Sequence, residues 1–339
     1  MTAKAVTAPV KETKGTEDDL SPETLLEMYE WMLLSRRLDE RAWLLHRQGK
    51  ITFHISGMGH EAIHIGTAYA IRRGYDILYP YYRDLGLCLA VGMTPREFML
   101  GLFGRKGDPN SGARQMPSHW GIKRLNIISG SSPVATQVPL AAGSALAEKL
   151  KGGDRVVLTF LGEGSTSEGD FHEALNWAGV HKLPLIVVVE NNLYAISVPI
   201  HLQMNIENVA DRACAYGIAG VTVDGNDIHA VYREMKKAVE RARSGGGATL
   251  FEAKVYRLVP HSSDDDDRTY RSREEVEGHK KTEPLVRLRN ELMERGILTE
   301  ERNQHLEEKI AAIVDDAQAY AEAAPWPDPE DALGDVYAP

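Results

Sequence analysis

Cysteine is nearly absent: the 339 residues contain two, Cys88 and Cys214. Two such thiols supply neither a disulfide framework nor a cysteine-rich zinc site, and they fit a reducing cytoplasm. Long apolar runs are missing as well. No stretch approaches the eighteen or so residues that a membrane-spanning helix needs. Positive charge is in deficit, with 39 Lys and Arg against 49 Asp and Glu and a net charge of -10, which excludes a general nucleic-acid surface because phosphate neutralisation needs clustered cations. Residues 1–20 have few large apolar groups and mixed charge, so a disordered tail is expected there. That tail lacks the hydrophobic core of a secretory signal, and acids without Arg disfavour an organellar transit peptide. What is present is 43% hydrophobic residues in a chain long enough for one large α/β domain with helical additions.

The most informative stretch runs from Gly162 to Ser197, together with the apolar run that leads into it. Two β-branched runs, RVVLTFLG and LPLIVVVE, flank an amphipathic segment, the pattern of buried parallel strands joined by a crossover helix. Each run ends in a polar turn: Gly162-Glu163-Gly164 after the first, Asn191-Asn192 after the second. Ligands of parallel sheets bind beyond the carboxyl ends of the strands, so Glu163 and Asn192 can meet although about thirty residues separate them. A carboxylate and an amide oxygen make a hard-oxygen site suited to Mg²⁺, which keeps other positions for phosphate and water. Gly164 lets backbone approach a diphosphate, and the following helix N-terminus faces the anion. The pattern reads as metal plus diphosphate, although each turn alone is ordinary loop chemistry.

Elsewhere, Ser21-Pro22-Glu23 opens a helix over 22–47, with Leu25, Met28, Met32 and Leu33 on its apolar side. A second helix is expected over 59–71. His60 and His64 on it, with nearby His54, do not complete a zinc motif around Glu61 and are expected on the helix surface or at a subunit contact. Residues 104–121 form a long loop of turn residues. Residues 208–258 repeat the alternation, with a helix over 208–215, a strand in IAGVTVDG, a helix capped by Asp227 and a strand in ATLFEAKVYRL. From Thr282 onward the chain is helical. The expected fold is an α/β, doubly wound and mainly parallel sheet, divided into a tail (1–20), an α/β domain (21–281) and a C-terminal helical extension (282–339) packed on it.

Gly-Glu-Gly followed after about thirty residues by Asn-Asn resembles the thiamine-diphosphate fingerprint. From about Leu25 to about Asn290 the chain resembles the alpha subunit of the decarboxylating component of 2-oxo acid dehydrogenase complexes. Glu163 stands where many members have Asp, and branched-chain members carry Glu. Arg114-Gln115-Met116-Pro117-Ser118-His119 and the acidic loop Pro260-His261-Ser262-Ser263 followed by four Asp are likewise similar to the branched-chain group.

The resemblance implies the thiamine-diphosphate-binding fold and a site. Gly162, Glu163, Gly164, Ser165, Asn192, Tyr194 and Ala195 would hold metal and diphosphate, with Glu163, Asn192 and the Tyr194 carbonyl as Mg²⁺ ligands. Tyr82, Arg83 and His261 would contact the diphosphate, and His261 would also meet the incoming lipoyl group as a catalytic residue. Ser132, Pro133 and Val134 would hold the aminopyrimidine side, with Val134 beneath the cofactor's bend. Phe53, Tyr82, Met116, Pro117, Ser118, His119 and Ser132 would line the substrate pocket. Ser131, Pro133, Thr136 and Gln137 match a structural K⁺ site of some relatives. At Glu190 some animal relatives carry a diphosphate-binding Arg, a contact missing here, and Ser262 matches a regulatory phosphorylation position in animal enzymes.

The implied reaction is oxidative decarboxylation of a branched-chain 2-oxo acid, with the cofactor as electron sink and reductive transfer of the acyl group to a lipoyl group of the acyltransferase component. The resemblance further implies that the pyrimidine-binding half of the site lies on a separate beta subunit, in an α2β2 heterotetramer. Pyruvate or acetoin dehydrogenase chemistry and a non-catalytic assembly subunit are the alternatives. A Rossmann dehydrogenase is disfavoured because the Gly162-Glu163-Gly164 turn lacks a third glycine.

Overall fold

The computed structural model describes residues 20–334. The expectation of a disordered tail falls outside these residues except at Leu20, which is buried. In chain order the elements are α1 (Pro22–Arg47), α2 (Glu61–Ala70), β1 (Ile77–Tyr79), α3 (Leu85–Ala90), α4 (Pro95–Phe103), α5 (Gln137–Leu150), β2 (Val157–Gly162), α6 (Gly169–His181), β3 (Leu185–Asn191), β4 (Tyr194–Ala195) and β5 (Val198–Pro199). They continue with α7 (Ala213–Tyr216), β6 (Ala219–Asp224), α8 (Ile228–Arg243), β7 (Thr249–Lys254), α9 (Arg273–Lys280), α10 (Pro284–Glu294) and α11 (Glu300–Ala323).

Five strands form one parallel sheet in the order β1-β2-β3-β7-β6. Side chains alternate across it, so each strand feeds two cores. Leu158, Phe160, Ile186, Val188 and Phe251 face a core built with α1, α2, α4, α8, α10 and α11. Val157, Leu161, Val187, Val189 and Leu250 face the other, built with α5 and α6. The sheet is therefore covered on both sides, as continuous β-branched runs require. Pairing of Gly162 with Glu190 and of Asn191 with Lys254 aligns the carboxyl ends of β2, β3 and β7. This alignment brings the two polar turns together.

Local chemistry sets the helix ends. Ser21 caps α1 ahead of Pro22, and Thr94 with Glu97 forms a capping box on α4. Asp227 caps α8, and Thr299 caps α11. Residues 208–215 depart from the expected helix: Val209–Arg212 is a 3₁₀ turn, and α7 is a single turn closed by Gly217 at φ 63°. The shorter form lets the Ala210 backbone reach a buried carboxylate on β7.

One charged junction fixes the helical layer. Arg36 on α1 donates to Glu61 at 2.6 Å and to Glu283 at 2.7 Å, all three buried. Glu61 also accepts from the Gly59 N–H, and Glu283 caps α10. Buried charges are tolerated when paired and hydrogen-bonded in this way.

Candidate active site

A cavity of about 430 Å³ opens where β2 and β3 end. Small-molecule sites are commonly of this size. Of the residues singled out from the sequence, Phe53, Tyr82, Arg83, Met116, His119, Ser132, Val134, Gly162, Glu163, Gly164, Ser165, Asn192, Tyr194, Ala195 and His261 line it. Ile55 and Ile196 line it too and carried no sequence signal. Pro133 is not among the lining residues. Pro117 and Ser118 turn instead into a small hollow beside Phe98 and Asp108, because Ser118 adopts φ 67°.

The long loop is organised by one side chain. Asp108 accepts the N–H groups of Asn110, Ser111 and Ala113, and Asn110 in turn accepts from Gly121 N. This closes the loop and aims its far end at the cavity. His119 Nδ1 lies 3.0 Å from the Met116 carbonyl and Nε2 lies 2.5 Å from Ser132 Oγ. A carbonyl only accepts, so Nδ1 carries a proton and, in a neutral ring, Nε2 accepts from Ser132.

Glu163 is buried and receives two donors: Asn192 N at 3.2 Å and Gln203 Nε2 at 3.2 Å. Burial raises its pKa above the ordinary carboxylate value. A nearby cation would lower it again. Asn192 points its Nδ2 toward His60 Nε2 at 3.4 Å, and its Oδ1 accepts weakly from Tyr194 N at 3.4 Å. The Tyr194 carbonyl, expected as a metal ligand, already accepts from buried Arg257 at 3.2 Å, which leaves one lone pair. Gly164 is required by close approach: a Cβ there would lie 2.5 Å from the Ala195 Cβ, whereas at Gly162 nothing lies within 4 Å.

Arg83 is buried beside the cavity, fixed by its bond to Ser56 O at 2.6 Å. Its second amine donates to His261 Nδ1 at 3.0 Å. A guanidinium only donates, so the neutral His261 ring carries its proton on Nε2. Burial, reinforced by Arg83 and Arg257, pushes the His261 pKa down to about 3. The acid run after it does more than solvate a loop. Asp265 accepts from His261 N and Tyr270 OH, Asp266 binds Arg268, and Asp267 pairs with Arg271 at 2.6 Å.

The three histidines correct an expectation. His54, His60 and His64 are not on the helix surface; all are buried. His54 Nε2 lies 2.5 Å from Asp39 Oδ1. His64 Nε2 sits 3.3 Å from Asp84 and 3.3 Å from Glu190. Burial alone would push His64 down, but Glu190 and Asp84 outweigh it and hold the ring near 10, while His64 and His60 hold Glu190 down to about 2 against the same burial. His64, Asp84 and Glu190 could geometrically hold an ion. The ring lies between the two carboxyl groups, and burial together with Glu190 pushes the Asp84 carboxyl well above its ordinary value. This pairing engages the fully buried Glu190 side chain.

The parallel sheet thus presents a carboxylate, an amide, an arginine and a glycine-lined approach in one cavity at its strand ends, the place where ligands of open α/β sheets bind. The comparisons narrow the class. Residues 29–330 match the family model "Dehydrogenase E1 component". The chain is 52% identical over 319 residues to the 2-oxoisovalerate dehydrogenase subunit alpha of Bacillus subtilis, covering 94% of this chain and 97% of that protein. It is 40% identical over 296 residues to the 3-methyl-2-oxobutanoate dehydrogenase subunit alpha of Mycobacterium tuberculosis, covering 87% and 76%. It is 37% identical over 319 residues to the mitochondrial 2-oxoisovalerate dehydrogenase subunit alpha of Homo sapiens, covering 94% and 71%. The chain belongs to the dehydrogenase E1 component family, which implies dependence on thiamine diphosphate. Among the described residues no helix is long and apolar enough to cross a membrane.

Proposed function

We propose that this chain is the alpha subunit of a branched-chain 2-oxo acid dehydrogenase, acting on 3-methyl-2-oxobutanoate and related acids, in the cytoplasm. The observation that carries the reading is the meeting of Glu163 and Asn192 at adjoining strand ends, in one cavity with Arg83, His261 and the apolar Phe53, Ile55 and Met116. The names of the relatives supply the substrate class. The two free cysteines support the compartment.

Thiamine diphosphate, when bound, supplies the electron sink that decarboxylation of a 2-oxo acid requires. Glu163, Asn192 and the free lone pair of the Tyr194 carbonyl would hold its Mg²⁺, a set of hard oxygens suited to that ion. Arg83, already fixed by Ser56, would neutralise phosphate oxygens, and Nε2–H of His261 would donate a hydrogen bond without adding charge. Negative charge placed between Arg83 and Arg257 would also offset the field that depresses His261. Ser132 and His119 form the polar end of the substrate space, with Phe53, Ile55 and Met116 as its apolar wall. K⁺ is supported by the turn where Ser131 Oγ, Thr136 Oγ1 and the Pro133 carbonyl lie 2.6–3.1 Å apart.

The partners are a beta subunit in an α2β2 assembly and a lipoyl-bearing acyltransferase component. Leu140, Leu150, Trp177 and Val180 on α5 and α6 are exposed, and Ile196 is exposed at the cavity mouth, which supports a covering chain there. The test is to purify the tagged chain with its copurifying partner and follow carbon dioxide release from 3-methyl-2-oxobutanoate and from pyruvate. Release that needs thiamine diphosphate and Mg²⁺ and is faster on the branched acid is expected. Faster release from pyruvate would overturn the substrate class, and no release from either acid by the two-chain sample would overturn the activity.

A further inference from the structure

Glu252 lies in β7, between β3 and β6, and is fully buried. Its carboxylate makes no ion pair among the described residues and is satisfied by neutral donors. Oε1 accepts from Asn191 Nδ2 at 2.7 Å; Oε2 accepts from Ala210 N at 3.0 Å and Thr222 Oγ1 at 3.4 Å. A buried carboxylate held this way, off the cavity, calls for a reason.

We infer that Glu252 is a positioning residue that braces both turns bearing Glu163 and Asn192, and so sets the affinity of the site for its divalent cation. The inference rests on the reading of those turns as the Mg²⁺ site. The first arm runs through Asn191. Because its Nδ2 is committed to Glu252, its Oδ1 is free to accept from Leu193 N at 3.2 Å. That bond steadies a turn in which Leu193 and Ile196 hold φ of 72° and 55°, left-handed values that a non-glycine residue keeps only when its surroundings hold it. Asn192 and the Tyr194 carbonyl lie inside that turn. The second arm leaves from Ala210. Two residues on, Arg212 donates to the Thr166 carbonyl at 2.6 Å and to Thr166 Oγ1 at 2.7 Å, and Thr166 Oγ1 donates to the Glu163 carbonyl at 2.6 Å. One carboxylate thus reaches the backbone of both turns.

The isosteric change Glu252→Gln is informative because both oxygens face N–H donors. A glutamine has one acceptor, so its NH₂ must oppose either Asn191 or Ala210. Relief by flipping the Asn191 amide loses the bond to Leu193. The pair Glu252→Gln with Asn191→Asp reverses donor and acceptor while keeping the total charge: the glutamine NH₂ donates to the new carboxylate, and its oxygen still accepts from Ala210.

The experiment titrates Mg²⁺ at fixed thiamine diphosphate into the cofactor-free complex of this chain with its partner, reading cofactor binding by calorimetry and recording Tm without ligand. Glu252→Gln is expected to raise the Mg²⁺ requirement 10–100-fold, the usual loss when a ligand-orienting contact is removed, and the double variant to recover most of it. A merely structural role would lower Tm and leave the Mg²⁺ requirement unmoved, which overturns the inference, as does a double variant no better than the single one. If Glu252→Gln does not assemble, Arg212→Met on the half-exposed second arm decides: a raised requirement supports the brace, an unchanged one overturns it. Glu163→Ala separates the two readings. Mg²⁺-dependent binding that survives in Glu163→Ala refutes the metal assignment, whereas its loss there with Glu252→Gln unchanged refutes only the brace.

Discussion

Gly164 sits where the turns bearing Glu163 and Asn192 touch, and adding one methyl group there is a sharp test of how tightly they meet. The Cβ of Gly164→Ala would fall 2.5 Å from the Ala195 Cβ. Relaxed carbon contacts lie at about 3.5–4.0 Å, so the turns must separate by roughly 1 Å. Ala195 has little room to yield: Ile196 beside it holds φ 55°, and Arg257 grips the Ile196 carbonyl at 2.6 Å. Overpacking of this kind costs about 1–3 kcal/mol. At about 2–4 °C per kcal/mol for a large domain, Tm should fall by about 2–12 °C. Gly162→Ala is the control, because its φ is -78° and a Cβ there meets nothing within 4 Å. Its effect on the cofactor-free complex should stay within about 0.5 kcal/mol. Ala195→Gly removes the opposing atom, so the double variant should recover stability, with a coupling of about 1–2 kcal/mol in the cycle. Scanning calorimetry of the native and the four variant cofactor-free complexes reads all of this. Equal losses for Gly162→Ala and Gly164→Ala, or no coupling with Ala195→Gly, would refute the reasoning.

Arg36→Met leaves Glu61 and Glu283 buried without their cation and should cost about 3–5 kcal/mol in denaturant unfolding; a loss under 1 kcal/mol would show that the junction relaxes or hydrates. His261 is depressed from 6.5 to about 3 in the folded chain. Between those values the unfolded chain binds a proton that the native one refuses, so its contribution is fully present above about pH 6.5 and is lost as pH falls toward 3. His261→Asn should flatten that part of a Tm against pH curve, and an unchanged acid limb would contradict the assignment. Ile55→Ala should lower the preference for 3-methyl-2-oxobutanoate over pyruvate about tenfold in kcat/KM, within the range that one or two methylene contacts supply. An unchanged ratio would remove Ile55 from the specificity wall.

Much of the fold was legible because its signals are local. The runs VLTFLG and LIVVVE carry only Thr159 as a polar residue ahead of their last position, a pattern suited to a strand buried on both faces, and Ser21 and Asp227 announce helix starts. The turns bearing Glu163 and Asn192 were legible for the same reason: a polar stop after an apolar run marks a strand end. Residues 208–215 were not, since the short 3₁₀ turn is selected by a bond from Ala210 to Glu252 that no window of sequence contains. The histidines were misplaced on similar grounds. His60 and His64 look like polar surface, and only the pairing of α2 with Glu190 and Asp84 makes burial tolerable. Arg257, Gln203 and Glu252 have ordinary neighbours in sequence, and their roles exist only through the distant atoms they touch.

The most direct measurement is equilibrium binding of thiamine diphosphate to the cofactor-free two-chain complex across a Mg²⁺ titration, for the native chain and for Glu163→Ala, with circular dichroism to verify the fold. We expect tight, Mg²⁺-dependent binding by the native complex and its loss in a folded Glu163→Ala complex. Binding by the variant at the native Mg²⁺ concentration would contradict the assignment of the Glu163 and Asn192 turns as the metal site.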